Sequence, residues 1–209
     1  MRRGKDLKRQ RARLDVRPRF LIVCEGRVTE PEYINLIRIK EKINLVRIII
    51  DNQGGTPKTL VDRAVAEKRR NRSEFGKQDE IWCVFDIDEH PLIAEARQKA
   101  NANGIKIAIS NPSFEFWLLL HFVYHSAAIS RQEARRQCEA RMNGYEKHIP
   151  GEALFPLLGT ALENAQRLAK WHDTRGTVGE NPSTDVYKLI ERLRGGSKQE
   201  LIKQITRSK

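Results

Sequence analysis

Residues 19–34 read RFLIVCEGRVTEPEYI, and this stretch decides the architecture. Arg19 to Cys24 is a short apolar, partly β-branched run that stops at Glu25-Gly26, which predicts a buried strand meeting a turn. Thr29-Glu30-Pro31-Glu32 follows, with Thr29 as N-cap, proline inside the first turn and glutamate at the third helical position. The apolar Tyr33, Ile34, Leu36 and Ile37 come next. Strand, loop and helix succeed one another directly.

The alternation continues outward. Ile43 to Asp51 predicts a second strand, broken by Asn52-Gln53-Gly54-Gly55, and Thr56-Pro57 opens a helix to about Asn71 with Leu60, Val61, Ala64 and Val65 on one face. Glu80 to Asp86 predicts a third strand, Pro91 to Asn103 a helix ended by Gly104, and Ile105 to Ser110 a fourth strand closing at Asn111-Pro112. Four strands alternating with three helices imply an α/β fold with a largely parallel, four-stranded sheet. Beyond it, Ser113 to His125 is apolar nearly all round and predicts a buried helix capped by Asn111. Ser130 to Arg141 and Thr160 to Asp173 also read as helices, with an undecided Gly144 to Gly159 between them. Asn181-Pro182 caps a helix to about Arg194, and Lys198 to Thr206 forms a last one. The expected organisation is a basic arm over 1–18, an α/β core over 19–111 and a helical extension over 112–209 packed on it.

The 209 residues are 39% hydrophobic and 32% charged, but the apolar positions come in blocks, so a core can form. Phe116 to Ser130 is the longest run without Asp, Glu, Lys or Arg, and it falls short of the ~20 apolar residues of a membrane span. The apolar run Phe20 to Cys24 is too short for a signal peptide. Three cysteines without a CxxC pair fit a reducing, cytoplasmic location.

The net charge of +12 is concentrated at the N-terminus, where Arg2, Arg3, Lys5, Lys8, Arg9, Arg11 and Arg13 lead the basic residues. Such an arm suits a polyanion, because each cation can neutralise a phosphate and release counterions; nucleic acid is the expected partner. A solubilising tail is the plain alternative.

In a parallel sheet, ligands gather beyond the carboxyl ends of the strands. Glu25 follows the first strand directly, and Asp86 and Asp88 end the third with alternate spacing. Clustered carboxylates repel one another, whereas Mg²⁺ (or Mn²⁺) accepts one or two of them and keeps water and phosphate as further ligands. Glu25, Asp86 and Asp88 are therefore the candidate metal ligands, with Glu25 also the candidate acid or base. A turn or cap is the plain reading of Asp-X-Asp. Glu115, a carboxylate inside an apolar block, points back toward the strand ends, to act there or to compensate the helix dipole. Asn111 and Asn181, each before Pro-Ser, can cap a helix or hold a phosphate at its N-terminus. Gly54-Gly55-Thr56 lacks the lysine and spacing of a P-loop. His121 and His125 lie on one helical face beside Trp117 and read as packing residues rather than zinc ligands.

Cys24-Glu25-Gly26-Arg27-Val28-Thr29-Glu30-Pro31-Glu32-Tyr33, Phe85-Asp86-Ile87-Asp88-Glu89-His90, the block Ser110 to Phe122 and Asn181-Pro182-Ser183-Thr184 together resemble the RloB, or AbiLii-like, family. The resemblance implies a Toprim-like core, related to the catalytic domain of topoisomerases, primases and OLD-type nucleases. It also implies an AAA-type ATPase partner and a role in anti-phage defence by abortive infection. In Toprim domains a glutamate after the first strand serves acid-base catalysis and an Asp-X-Asp holds metal, roles that carry over to Glu25, Asp86 and Asp88. The fuller Asp-X-Asp-X-Asp pattern is broken by His90. No tyrosine is placed as a topoisomerase nucleophile, so the resemblance favours a Mg²⁺-dependent nuclease on DNA or RNA; Glu25 and, from its place in the apolar block, Glu115 are the candidate catalytic groups. The rival is a non-catalytic subunit that binds nucleic acid or the ATPase. The oligomeric state stays open.

Overall fold

The structure, a computed structural model, describes residues 18–51, 56–87 and 93–195. In the first half β1 is Phe20–Cys24, α1 Thr29–Lys40, β2 Val46–Ile50, α2 Pro57–Arg70, β3 Glu80–Asp86, α3 Ile93–Ala102 and β4 Lys106–Asn111. The second half adds α4 (Phe114–Leu119), α5 (Arg131–Arg141), α6 (Gly151–Leu154), a 3-10 turn at Phe155–Leu157, α7 (Leu158–Asp173) and β5 (Ser183–Thr184). Residues 186–195 are helical and are called α8.

The sheet runs β2-β1-β3-β4-β5, parallel except for β5. It has five strands rather than the expected four. β5 is two residues long and leaves no periodicity in the sequence; it is a strand because Ser183 and Thr184 pair with Asn111 and Ser110, and the Asp185 amide donates to Ile109 O at 2.7 Å. Since β1 lies between β2 and β3, the chain winds first to one side of β1 and then to the other. Strand order reverses between β1 and β3, which opens a crevice at their carboxyl ends.

Alternation along the strands divides the core in two. Leu21, Val23, Ile81, Cys83, Phe85 and Ile109 face α2 and α3, which cover them with Leu60, Val61, Ala64, Ala96 and Ala100. Phe20, Ile22, Cys24, Trp82, Val84 and Ala108 face the other way, into a larger cluster built from α1, α4, α5, α7 and α8, with Tyr33, Phe116, Ala134, Leu168 and Leu189. The residues beyond 111 thus supply an edge strand and most of one hydrophobic layer. α8 is also latched to the start of β3, where Arg192 and Lys106 donate to Glu80 Oε1 and Trp82 Nε1 donates to Oε2. Burial alone would raise the Glu80 pKa, but these donors outweigh it and hold the carboxyl below its ordinary value.

Several expected helix starts and ends are moved by tertiary contacts. α4 stops at Leu119 instead of His125. A continued helix would use the Trp117 and Leu118 carbonyls for the amides of His121 and Phe122, but His121 Nδ1 reaches both at 3.2 Å and the chain tightens into i−3 bonds. Asn111 does not cap α4. It ends β4 and donates through Nδ2 to Gly179 O, while Ser113 occupies the N-cap position. Asn181 caps no helix either; its amide pairs with both the N–H and the C=O of Ile129. Thr29 is the first residue of α1, not its cap, because its hydroxyl donates to Lys147 O.

Candidate active site

A cleft of about 410 Å³ opens over the carboxyl ends of β1 and β3. The ladder carries Glu25 there, since its amide donates to Val84 O at 3.0 Å and so continues the β1–β3 pairing by one residue. Asp86 ends β3 and shares the face of Trp82 and Val84, so it points into the larger layer. Glu30 in the first turn of α1 and Glu115 in the first turn of α4 join it. Four carboxylates therefore line one cleft, together with Arg27, Arg131, Arg135 and Lys147.

Crowding shows in the acids. Asp86 is pushed well above the ordinary carboxyl pKa by burial first and by Glu30, Glu115 and Glu25 nearby, against the pull of Arg131. Its Oδ2 meets Arg131 Nη2 at 3.2 Å, but its buried Oδ1 has no hydrogen-bond partner among the described residues. Glu30 is 7% exposed, and its pKa is raised to about 7, by burial and then by Glu115 and Glu25. The Glu30 carboxylate lies directly against the α-carbon of Gly26, where a β-carbon would collide with it. Glu115 is steadied by Ser113 Oγ, which donates to Oε2 at 2.7 Å, and by Tyr145 Oη at 3.4 Å from Oε1.

Three of these four cations come from the second half of the chain. Arg131 and Arg135 stand one turn apart at the start of α5, whose N-cap Ser130 accepts from the Glu133 amide. Lys147 has φ 77°, a left-handed conformation that costs a non-glycine residue roughly 1 kcal/mol or more. Three contacts to α1 hold it there: Thr29 Oγ1 donates to Lys147 O at 3.1 Å, and Glu32 takes His148 Nδ1 at 2.6 Å and the Ile149 amide at 3.0 Å.

Of the sequence candidates, Glu25, Asp86 and Glu115 share the cleft. Asn111 and Asn181 are engaged elsewhere. Asp88 and His90, and Arg2, Arg3, Lys5, Lys8, Arg9, Arg11 and Arg13 of the arm, lie outside the described residues. Glu30, Arg131, Arg135 and Lys147 did not stand out in the sequence. Glu30 reads as an ordinary first-turn acid and the arginines as a solvated helix face; only the fold turns them toward one another. His121 is a packing residue, buried among Tyr33 and Trp117, with Nε2 2.9 Å from Tyr33 Oη and its pKa lowered to about 4 by burial.

Among the described residues no three His, Cys, Asp or Glu side chains are arranged to hold a metal ion together. Mg²⁺ does not require three, because it commonly takes one or two carboxylates and completes its shell with water and phosphate. An orphaned, buried aspartate oxygen among repelling carboxylates is a donor set that suits such a hard cation.

No helix among the described residues is long and apolar enough to cross a membrane. No curated protein and no solved structure matches the chain. One family does: the model of the RloB-like proteins matches residues 20–193, a span that includes every residue lining the cleft. The chain is a member of the RloB family.

Proposed function

We propose that this RloB protein is a divalent-metal-dependent phosphodiesterase acting on nucleic acid, with a Toprim-like core. The observation that carries the reading is Asp86 Oδ1, buried and unpartnered among the described residues at the point where strand order reverses, with Glu25 and several cations lining the same cleft. Glu25 and Asp86, with Asp88, would hold Mg²⁺ or Mn²⁺, which supplies Lewis acidity toward a phosphoryl oxygen. Arg131, Arg135 and Lys147 seat the substrate phosphate by charge-assisted hydrogen bonds. Glu25 and Glu115 are the candidates for moving protons at the scissile bond, Glu115 being held in place by Ser113 and Tyr145. Action in anti-phage defence beside an AAA-type ATPase belongs to the same proposal and rests on the family resemblance.

The test is incubation of the purified chain with labelled single- and double-stranded DNA and with total RNA, with and without Mg²⁺ or Mn²⁺. Cleavage that requires the ion and is lost in Asp86→Asn and Glu25→Gln, with folding retained, supports the reading. Cleavage unchanged in both variants refutes it. A non-catalytic, nucleic-acid- or ATPase-binding subunit is the second reading, favoured by the Arg131 guanidinium already resting on Asp86. It predicts binding without cleavage under every ion tried.

A further inference from the structure

Away from the cleft, two arginines stack on two half-buried aromatic rings. The Arg167 guanidinium carbon lies 4.0 Å from the Tyr124 ring centroid and that of Arg175 lies 4.3 Å from Trp171. Arg167 and Trp171 are one turn apart on α7, and Arg175 follows one turn later just past the helix end, so the three form one stripe over roughly 12 Å. Tyr124 and Trp171 are fixed from below by the larger hydrophobic layer. Both arginines are exposed, and among the described residues neither has an ion-pair partner, unlike Arg135 and Arg136 on α5, which are tied to Glu139 and Glu133.

The end of the stripe lies near the carboxyl end of β4, the strand next to β3, whose own carboxyl end carries Asp86 into the cleft. His172 Nε2 is 2.8 Å from Pro182 O, which ties the end of α7 to β5, and β5 pairs with the carboxyl end of β4. The segment that begins at Tyr124 ends at Arg131 on Asp86, so the two places are at most ~25 Å apart along an extended chain. A guanidinium held over an aromatic ring can present its outer plane to a base and its edge N–H groups to a phosphate. An acidic peptide would use the charges and leave the planes idle, whereas unpaired bases use both.

We infer that Tyr124, Arg167, Trp171 and Arg175 form a stacking surface for unpaired bases of a single-stranded nucleic acid whose backbone runs into the carboxylate cleft. The inference rests on the nucleic-acid reading above and names its substrate class as single-stranded. It is tested by fluorescence anisotropy of a labelled single-stranded RNA 12-mer in EDTA, which separates binding from cleavage. The double variant Arg167→Lys/Arg175→Lys keeps the charge and loses the planes. It is expected to bind about tenfold more weakly than the parent chain, the scale of one base–side-chain stack. A 12-mer of abasic sugar-phosphate is expected to bind both proteins equally. Equal affinity of parent and variant for the normal RNA overturns the stacking surface while leaving the cleft reading intact, as does an abasic strand that binds the parent as tightly as RNA. Absence of binding to the parent chain overturns the nucleic-acid reading and the surface with it.

Discussion

The two faces of the sheet are covered in different ways. Among the described residues, one face is closed mainly by α2 and α3, two helices drawn from the same stretch of chain as the strands they cover. The other is closed by α1 together with helices from the second half, and it is the side on which Asp86, Glu30, Glu115, Arg131 and Lys147 meet. The small face is covered by neighbouring stretches of the chain. The large face is assembled from distant segments, and the candidate site is a product of that assembly, so whatever loosens the large layer is expected to disturb the cleft as well.

The strongest test of this contrast removes one partner outright. A chain of residues 18–112 retains the small face and leaves only α1 over the large one; it is expected to show no cooperative unfolding transition by circular dichroism. A sharp transition in that fragment would break the comparison. Single core truncations sharpen it. Phe116→Ala on α4 should cost about 3–5 kcal/mol in denaturant unfolding and Leu60→Ala on α2 about 2–5 kcal/mol. Only the first is expected to weaken the proposed Mn²⁺ binding in calorimetry well below the melting point, because Phe116 packs in the layer into which Asp86 points.

Protons give a third test, confined to the large face. The folded pKa of Glu30 lies above its unfolded value of 4.5, so the stability it contributes is complete below about pH 4.5 and declines as pH rises to about 7. Glu30→Gln should therefore leave stability nearly unchanged at pH 4 and raise it at pH 8 by on the order of 3 kcal/mol, measured by urea unfolding across that range. A flat difference between the two proteins would remove the crowding argument. The smallest effect is expected where the halves join at the sheet edge: Ser110→Ala deletes one hydroxyl contact to Thr184, at 3.2 Å, and should cost about 1 kcal/mol in the same assay.

What the sequence discloses follows the same division. The alternating strands and helices of the first half are written in local periodicity, and Thr56 does cap α2 as expected, accepting from the Thr59 amide. α5 likewise begins behind Ser130. The sequence misleads, in either half, wherever a side chain serves a distant partner instead of its own helix, as Asn111, Asn181, Thr29 and His121 all do. The same reason hides half of the cleft. Glu25 and Asp86 are legible because strand ends mark ligand sites in parallel sheets. Lys147 carries no local signal at all, since its backbone is set by contacts from α1 more than a hundred residues earlier in the chain.

Asn181 presents its amide to Ile129 as a peptide unit would, receiving the N–H and giving to the C=O at 2.9 and 2.8 Å. A carboxylate of identical shape has nothing to give, so an aspartate there would set two oxygens against one another and release the rim that delivers Arg131. The cleft thus has a keeper that never touches it, and drift at this outlying amide is answerable at the floor of the site.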